Sequence, residues 1–593
     1  MLLNRNMNRH MLSLSRSMST QYTTSKMSNN SVTGLFISKM LLNRNMNRHM
    51  LSLSRSMSTQ YTTSKMSNNS VTGKQFSMTK MTCTLGPASQ DQTTIQSLAD
   101  AGMSIARLNF SHVKRGIYEY PTEQMERVVN TKGMHRNLLS RDYNMLATLL
   151  DTKGPEIRTG TVKKGKTVTL KDNDLCVLTT DPATKNSVDA TTIYVDYEEI
   201  ASTVSPGGEV LLDDGLIGLE VLDANYLVEK QFAEVKCIVK SGGELGSIKG
   251  VNLPNVTLQL PSMTEKDKED MAWAIERDCV DIVAASFVRK ASDVRSVKAY
   301  LERCIAKVNK KGQIAPIVIS KIENKEGVDN FEEILAESDG IMVARGDLGV
   351  EINFADLFLL QKHMIRLCNL AGKPVIVATQ MLDSMQRNPR PSRAEVTDVG
   401  NAVLDGADCV MLSGESANGK YPKVAAETMM EIVGKADIAL DQKQGYSNLH
   451  ARRVEMNEAL SRETGTQTLD SIAAAAVTMA VQIEADLIIA ISRKGDTAKR
   501  LAKFRPHIPI MAFVPSPELG RRLVIHRGLY PVVMENSSSI KNQHDRVVES
   551  LRTAVEIGWV TSGHRVIVVD AELWTLGSTQ NTTKANCIKV FTV

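Results

Sequence analysis

Eight short apolar runs, each closing on polar residues and most followed by a helix-like stretch, predict an α/β chain built on a (β/α)8 (TIM) barrel. One connection, from Thr152 to Asp281, is far too long for an ordinary βα loop. It is written in short alternating runs such as KTVTLKD and AEVKCIVK, which predicts a small β-barrel domain inserted there. Beyond Pro422 strands and helices alternate again, which predicts a C-terminal α/β domain with a mainly parallel sheet. For the first eight strands a doubly wound open sheet is the competing arrangement.

The predicted barrel strands are Lys80–Pro87, Ser104–Ser111, Asn144–Thr152, Asp281–Phe287, Pro316–Glu323, Gly340–Asp347, Lys373–Gln380 and Asp408–Glu415. Their β-branched, near-continuous apolar character is that of strands buried on both faces. Helical stretches between them include Asp91–Ala101, Glu265–Arg277, Ser292–Val308, Phe354–Leu370 and Arg393–Asp405. In the last unit, an Ala-rich helix over Leu460–Gln482 precedes strands at Asp486–Ser492, Pro509–Pro515, Tyr530–Glu535, Arg565–Asp570 and Cys587–Val593. The domain reading is a leader over 1–78, the barrel over 79–154 and 257–424, the insert over 155–256, and the C-terminal unit over 425–593.

The leader misleads any reading of overall charge. The chain carries a formal +5, yet residues 1–90 hold eleven Lys or Arg and no acidic residue. The remainder has 60 basic and 66 acidic side chains, so a nucleic-acid surface is not indicated. Met1–Gly34 recurs without change as Met40–Gly73. Its Ser/Asn/Met-rich, Arg-bearing and acid-free composition predicts either a disordered tail or an organelle transit peptide. The expected location is therefore cytoplasmic, with a mitochondrial alternative. No run of eighteen apolar residues exists to span a membrane. The eight cysteines form no CxxC pair and mostly sit in apolar runs, as reduced buried thiols do.

Chemistry concentrates in Pro316–Asp347. PIVIS runs into Lys321 and Glu323, and GIMVA runs into Arg345, Gly346 and Asp347. On neighbouring strand ends Glu323 and Asp347 would form a carboxylate pair able to share one hard divalent cation, with Lys321 adding a compact positive charge. That set suits phosphoryl or enolate chemistry; an ordinary buried ion pair is the bland reading.

From about Thr79 onward the chain also resembles the pyruvate kinase family. The stretches that carry the likeness include MTCTLGPAS (81–89), ARLNFSH (106–112), LDTKGPEIRTG (150–160), KGVNLP (249–254), SKIEN (320–324), DGIMVARGDLG (339–349), PRPSRAEVTDV (389–399) and DGADCVMLSGESANGKYP (405–422). The resemblance implies transfer of the phosphoryl group of phosphoenolpyruvate to ADP in a homotetramer. It implies Glu323 and Asp347 as ligands of Mg²⁺ or Mn²⁺, and Asn109, Ser111, Asp151 and Thr152 as ligands of K⁺, with Glu156 the mark of a K⁺-dependent member. Lys321 and Arg107 would meet the phosphoryl group, and Gly346 the substrate carboxylate. Thr379 would lie by the enolpyruvate carbon. Asn109, His112, Arg158 and Lys249, with Pro87, would meet the nucleotide. The insert at the mouth would close as a lid.

Many family members bind a sugar phosphate at a strand–loop–helix turn, here Ser492–Thr497. Two features count against a standard effector site. Asp496 would cap the helix and occupy its amides, and Glu572–Gly577 lacks the arginine and extra glycines of the family's closing loop. Weak or absent activation by fructose 1,6-bisphosphate is therefore expected. Two other readings keep the fold. A phosphoenolpyruvate mutase or metal-dependent aldolase is opposed by the insert with Arg158 and Lys249. A non-catalytic member is opposed by intact Lys321, Glu323 and Asp347.

Overall fold

The computed structural model describes residues 70–71, 74–75, 77–131, 144–163, 167–227, 232–310, 312–443, 467–534, 543–575 and 582–593. Nearly all of the leader, and Leu460–Thr466 of the expected Ala-rich helix, lie outside the described residues. That helix is described over Gln467–Gln482.

Eight parallel strands close into a barrel, which excludes the open sheet. They are Lys80–Thr84, Met103–Asn109, Ala147–Asp151, Ile282–Ala285, Ile317–Ile322, Gly340–Ala344, Val375–Ala378 and Cys409–Leu412. Each is shorter than expected because its polar end residues leave the ladder. Phe110–His112 turns into a 3₁₀ segment, and Arg345–Glu351 becomes a helix. Those departures aim side chains into the mouth rather than across the sheet.

Period-2 alternation divides the apolar residues between two layers. Ile105, Leu149, Ile282, Ile319, Met342 and Ile376 fill the barrel interior. Ala106, Leu150, Val283, Val343 and Val377 face the surrounding helices. At the N-terminal end of the barrel, the floor, Val524 and Ile525 of the C-terminal domain join the interior cluster. Buried ion pairs surround them: Asp281 with Arg521 at 2.9 Å, Asp408 with Arg505 at 3.1 Å, and Asp437 with Arg527 at 3.2 Å.

The insert differs in one respect from the small β-barrel expected. Its main sheet has six strands in an open ladder, and a two-stranded ribbon accompanies it. Among the described residues, single bridges, Arg158 to Gly250 and Thr159 to Val195, join the sheet's edges. The segment around Arg158 is too short to form a ladder, so closure is made residue by residue. The C-terminal sheet has five strands, parallel except for the antiparallel pair Arg565–Thr575 and Thr582–Thr592. All eight cysteines are free thiols. No helix among the described residues is long and apolar enough to cross a membrane.

Candidate active site at the barrel mouth

Adjacent strand ends bring the predicted residues together at the C-terminal mouth, where a cavity of about 800 Å³ opens. Arg107, Asn109, His112, Lys321, Glu323, Asp347, Thr379 and Pro87 line it. The strand register sets Asn109 beside Asp151, and Arg107 beside Leu149.

Asp151 is fully buried and anchors the charges. Its Oδ2 accepts from Arg107 Nε at 2.7 Å, and its Oδ1 lies 3.0 Å from Lys321 Nζ. Burial would raise this carboxyl, but Lys321 and Arg107 outweigh it and hold it below its ordinary value. Lys321 Nζ also lies 2.9 Å from Glu323 Oε1 and donates to Ser286 Oγ at 2.7 Å. Burial opposes the ammonium, yet Asp151 and Glu323 raise its affinity for the proton. It stays a fixed cation.

Glu323 is held from the other side by the amide of Phe287 at 2.6 Å. Phe287 adopts φ +54°, uncommon for a bulky residue, so the chain carries strain to aim that amide. Burial pushes Glu323 up to about 7, and the neighbouring Asp347 adds to the rise while Lys321 opposes it. Asp347 is raised too, first by burial, and hydrogen-bonds Glu323. Two carboxyls that repel each other and resist ionising in a dry site are what a hard divalent cation relieves.

Thr379 and Gln380 follow the strand Val375–Ala378 with φ of +74° and +54°. This second strained turn is strapped by Arg345. Its guanidinium donates to Thr379 O at 2.8 Å and Asp398 Oδ1 at 2.7 Å, with weaker bonds to the carbonyls of Ala378 and Gln380. A Cβ on Gly346 would meet Thr379 Cγ2 at 2.9 Å, so the next residue must be glycine. The arrangement can clamp a dianion with two cations and neutralise charge on a group in transfer.

The comparisons with known proteins agree with this geometry. The family description "Pyruvate kinase, barrel domain" matches residues 76–426, and "Pyruvate kinase, alpha/beta domain" matches residues 470–591. A pyruvate kinase of Staphylococcus aureus (strain MRSA252) is 43% identical over 492 residues, 83% of this chain and 77% of the relative. One of Staphylococcus haemolyticus is 42% identical over the same shares. This chain belongs to the pyruvate kinase family. The family's reaction passes the phosphoryl group of phosphoenolpyruvate to ADP, and the chain is a transferase of that kind.

Not every residue assigned from the pyruvate kinase resemblance reaches the cavity. Arg158 and Lys249 sit at the two hinges of the insert, outside the cavity lining. Arg158 pairs with Glu156 at 2.6 Å, and Lys249 with Asp213 at 2.8 Å. The insert nevertheless touches the helix that carries Asp347. Asn252 donates to buried Glu351 at 2.8 Å, and the tip glycine Gly215 faces Val350. Among the mouth residues His112 is exposed, and what burial its ring has, together with Arg107 and Arg158, lowers its proton affinity.

At the Ser492–Thr497 turn the structure corrects the expected cap. Gly495, with φ +84°, is the cap residue and contributes no side-chain bond. Asp496 is the first helical residue, exposed and paired with Lys499 at 3.3 Å, so it does not occupy the helix amides. The left-handed backbone, open to glycine, moved the boundary by one residue. The turn borders a cavity of about 310 Å³ with Arg493, Arg546 and Asp570.

Three side chains of the mouth received no role from the sequence. Ser286 relays between Lys321 and the carbonyl of Thr152, 2.7 Å from each. Thr84 accepts from Arg107 Nη1 at 2.8 Å. Arg345 stood in the quoted ARGD run without an assignment. Ser286 and Thr84 both lie at or just past strand ends, the one signal by which they were findable.

Proposed function

We propose that this chain transfers the phosphoryl group of phosphoenolpyruvate to ADP at the 800 Å³ mouth, using the residues that converge there. The observation that carries the assignment is Lys321 fixed as a cation between Asp151 and Glu323, next to Asp347. Phosphoryl transfer needs chiefly positioning and neutralisation of charge on the group in flight. Lys321 supplies a compact charge, and Arg107, locked by Asp151 and Thr84, a forked one. Thr379, which lines the mouth, would hand a proton to the enolpyruvate carbon, and Gly346 would meet the substrate carboxylate.

Glu323 and Asp347 fit a divalent cation, Mg²⁺ or Mn²⁺, which when bound polarises the substrate oxygens. Asn109, Ser111, Asp151 and Thr152 fit K⁺. Arg107 and Lys321 occupy Asp151, which leaves a lone pair on Oδ2, and Asn109 stands at the adjoining register position. Residues 155–256, between the hinges at Arg158 and Lys249, would act as the lid over barrel segments 79–154 and 257–424. The nucleotide is assigned to Asn109, His112, Arg158 and Lys249. The last two would exchange their present carboxylate partners for phosphate oxygens on closure.

A homotetramer is the assembly we assign. Phe354 and Phe358 are 82% and 57% exposed beside Leu359, a patch suited to contact between copies. We place the chain in the cytoplasm, or in mitochondria if the leader serves as a transit peptide. A phosphorylated effector at Ser492–Thr497 belongs to the same reading.

The test is a coupled assay of pyruvate formation from phosphoenolpyruvate and ADP with Mg²⁺, in K⁺ and then in tetramethylammonium. Pyruvate should appear with both cations present and fall steeply when K⁺ is replaced. No pyruvate in any condition would refute the reaction, and undiminished activity in tetramethylammonium would refute the K⁺ site.

A further inference from the structure

The barrel floor and the C-terminal domain enclose a second cavity, of about 670 Å³. Seven Lys or Arg side chains and four Asp or Glu line it. Most of the charges pair off: Lys298 with Asp339 at 2.8 Å, Lys503 with Asp470 at 2.9 Å, and Arg500 with the same Asp470. Lys499 takes Asp496 at 3.3 Å. Lys373, Lys494 and Arg522 have no carboxylate within ion-pairing distance among the described residues.

Arg522 of the C-terminal domain and Lys373 of the barrel both line this space. Arg522 is only 6% exposed and donates to the carbonyl of Ile314 at 2.5 Å. Its Nε is buried without a hydrogen-bond partner among the described residues. Lys373 Nζ donates to the carbonyls of Leu335 and Ala336, each at 2.7 Å. Burial lowers the proton affinity of both groups. Lys298 pushes Lys373 the same way, and Arg521 does so for Arg522, against the pull of Asp281. A cavity lined by more cations than carboxylates, with three of those cations outside any ion pair and a buried donor left unused, is a site that an anion would complete.

We propose that this cavity binds a small phosphorylated metabolite, its phosphoryl dianion held by the fork of Arg522 and the ammonium of Lys373, with Lys494 and Lys499 at the rim. The volume suits a ligand larger than phosphate alone. The site is separate from the Ser492–Thr497 turn, whose own cavity is about 310 Å³. The two share Lys494, Asp496 and Arg500 of the helix Asp496–Lys503 and its approach. Occupancy would join that helix to Lys373, which stands just before the strand Val375–Ala378. The other end of that strand carries Thr379 at the mouth. The ligand would therefore regulate by linking effector domain and barrel.

Inorganic phosphate is the probe. Thermal unfolding of the full chain would be followed against phosphate, with chloride at matched ionic strength as reference, in the wild type, Lys373→Met, Arg522→Leu and Arg493→Gln. The expected result is a saturable rise in Tm for wild type and Arg493→Gln, with the apparent affinity at least tenfold weaker in Lys373→Met and Arg522→Leu. If Arg522→Leu does not fold, amine acetylation read by mass spectrometry gives the second measurement. Phosphate should protect Lys373 and Lys494 while leaving exposed Lys362 unchanged. The absence of a saturable shift would overturn the proposal. So would a shift lost in Arg493→Gln but kept in Lys373→Met, because that locates the phosphate at the Ser492–Thr497 turn.

Discussion

Two lysines are buried in this barrel among the described residues, one at each end. Lys321 at the mouth is 8% exposed and Lys80 at the floor 2%. Burial works against the charge of both, yet their surroundings differ. Lys321 has Asp151 and Glu323 within 3.0 Å, and they raise its proton affinity above the ordinary value. Lys80 Nζ has no hydrogen-bond partner among the described residues; it sits 3.7 Å over the ring centroid of Tyr530. There burial prevails over the pull of Asp437 and lowers it to about 7. The comparison shows that depth alone does not set a buried charge. The mouth surrounds its lysine with carboxylates that keep it ionised, whereas the floor surrounds its lysine with a domain interface.

The largest effect should come from breaking the carboxylate side of the mouth. Asp347→Asn removes a charge from the carboxylate pair and should lower kcat on the order of 10³-fold. The check is pyruvate formation titrated with Mn²⁺; an unchanged Mn²⁺ dependence would remove Asp347 from the site.

Next comes the strap that holds the mouth in its strained form. Arg345→Met frees Thr379 and Gln380 from the guanidinium that spans their carbonyls. Misplacing Thr379 by about 1 Å should lower kcat on the order of 10²-fold. KM for phosphoenolpyruvate should change much less, because Arg107 and Lys321 remain. A variant whose KM rises while kcat holds would show that Arg345 acts through binding alone.

The floor should show a smaller effect, of the opposite sign. Lys80→Met replaces a buried, unpartnered ammonium with an apolar chain and should stabilise the protein by roughly 1 kcal/mol or more near pH 6. Unfolded, this lysine titrates near 10.5; folded, near 7. Between those values the unfolded chain holds a proton that the folded chain lacks, so the wild type gains stability as pH rises. The difference in Tm between variant and wild type should therefore be full at pH 7 and below and shrink toward pH 10. A pH-independent difference would place the ammonium in a charged, satisfied environment instead.

Much of this was legible in the sequence, because apolar periodicity and polar strand ends are local signals. All eight barrel strands fall within the expected runs apart from Met103, one residue earlier. Glu323, Asp347 and Lys321 converge as adjacent strand ends require. What escaped notice depends on contacts far apart in the chain. Arg345 straps a turn 34 residues away, and nothing in ARGD announces the partner. Lys80 looked like an ordinary strand start, because its burial comes from Tyr530 of another domain. The cap at Gly495 was misread because Asp is the better cap by chemistry, while the left-handed backbone made the choice. Closure of the insert by single bridges left no alternating run to read.

The partners around each buried lysine, rather than its depth, decide its work. The most direct measurement compares kcat for Lys321→Met and Lys80→Met in one coupled assay of pyruvate formation, at pH 7.5 or thereabouts with saturating Mg²⁺ and K⁺. Lys321→Met should lose on the order of 10²-fold or more in kcat, with Lys80→Met within about twofold of wild type. Near-normal turnover in Lys321→Met, or equal losses in both variants, would show that the carboxylates around Lys321 do not set it apart from Lys80.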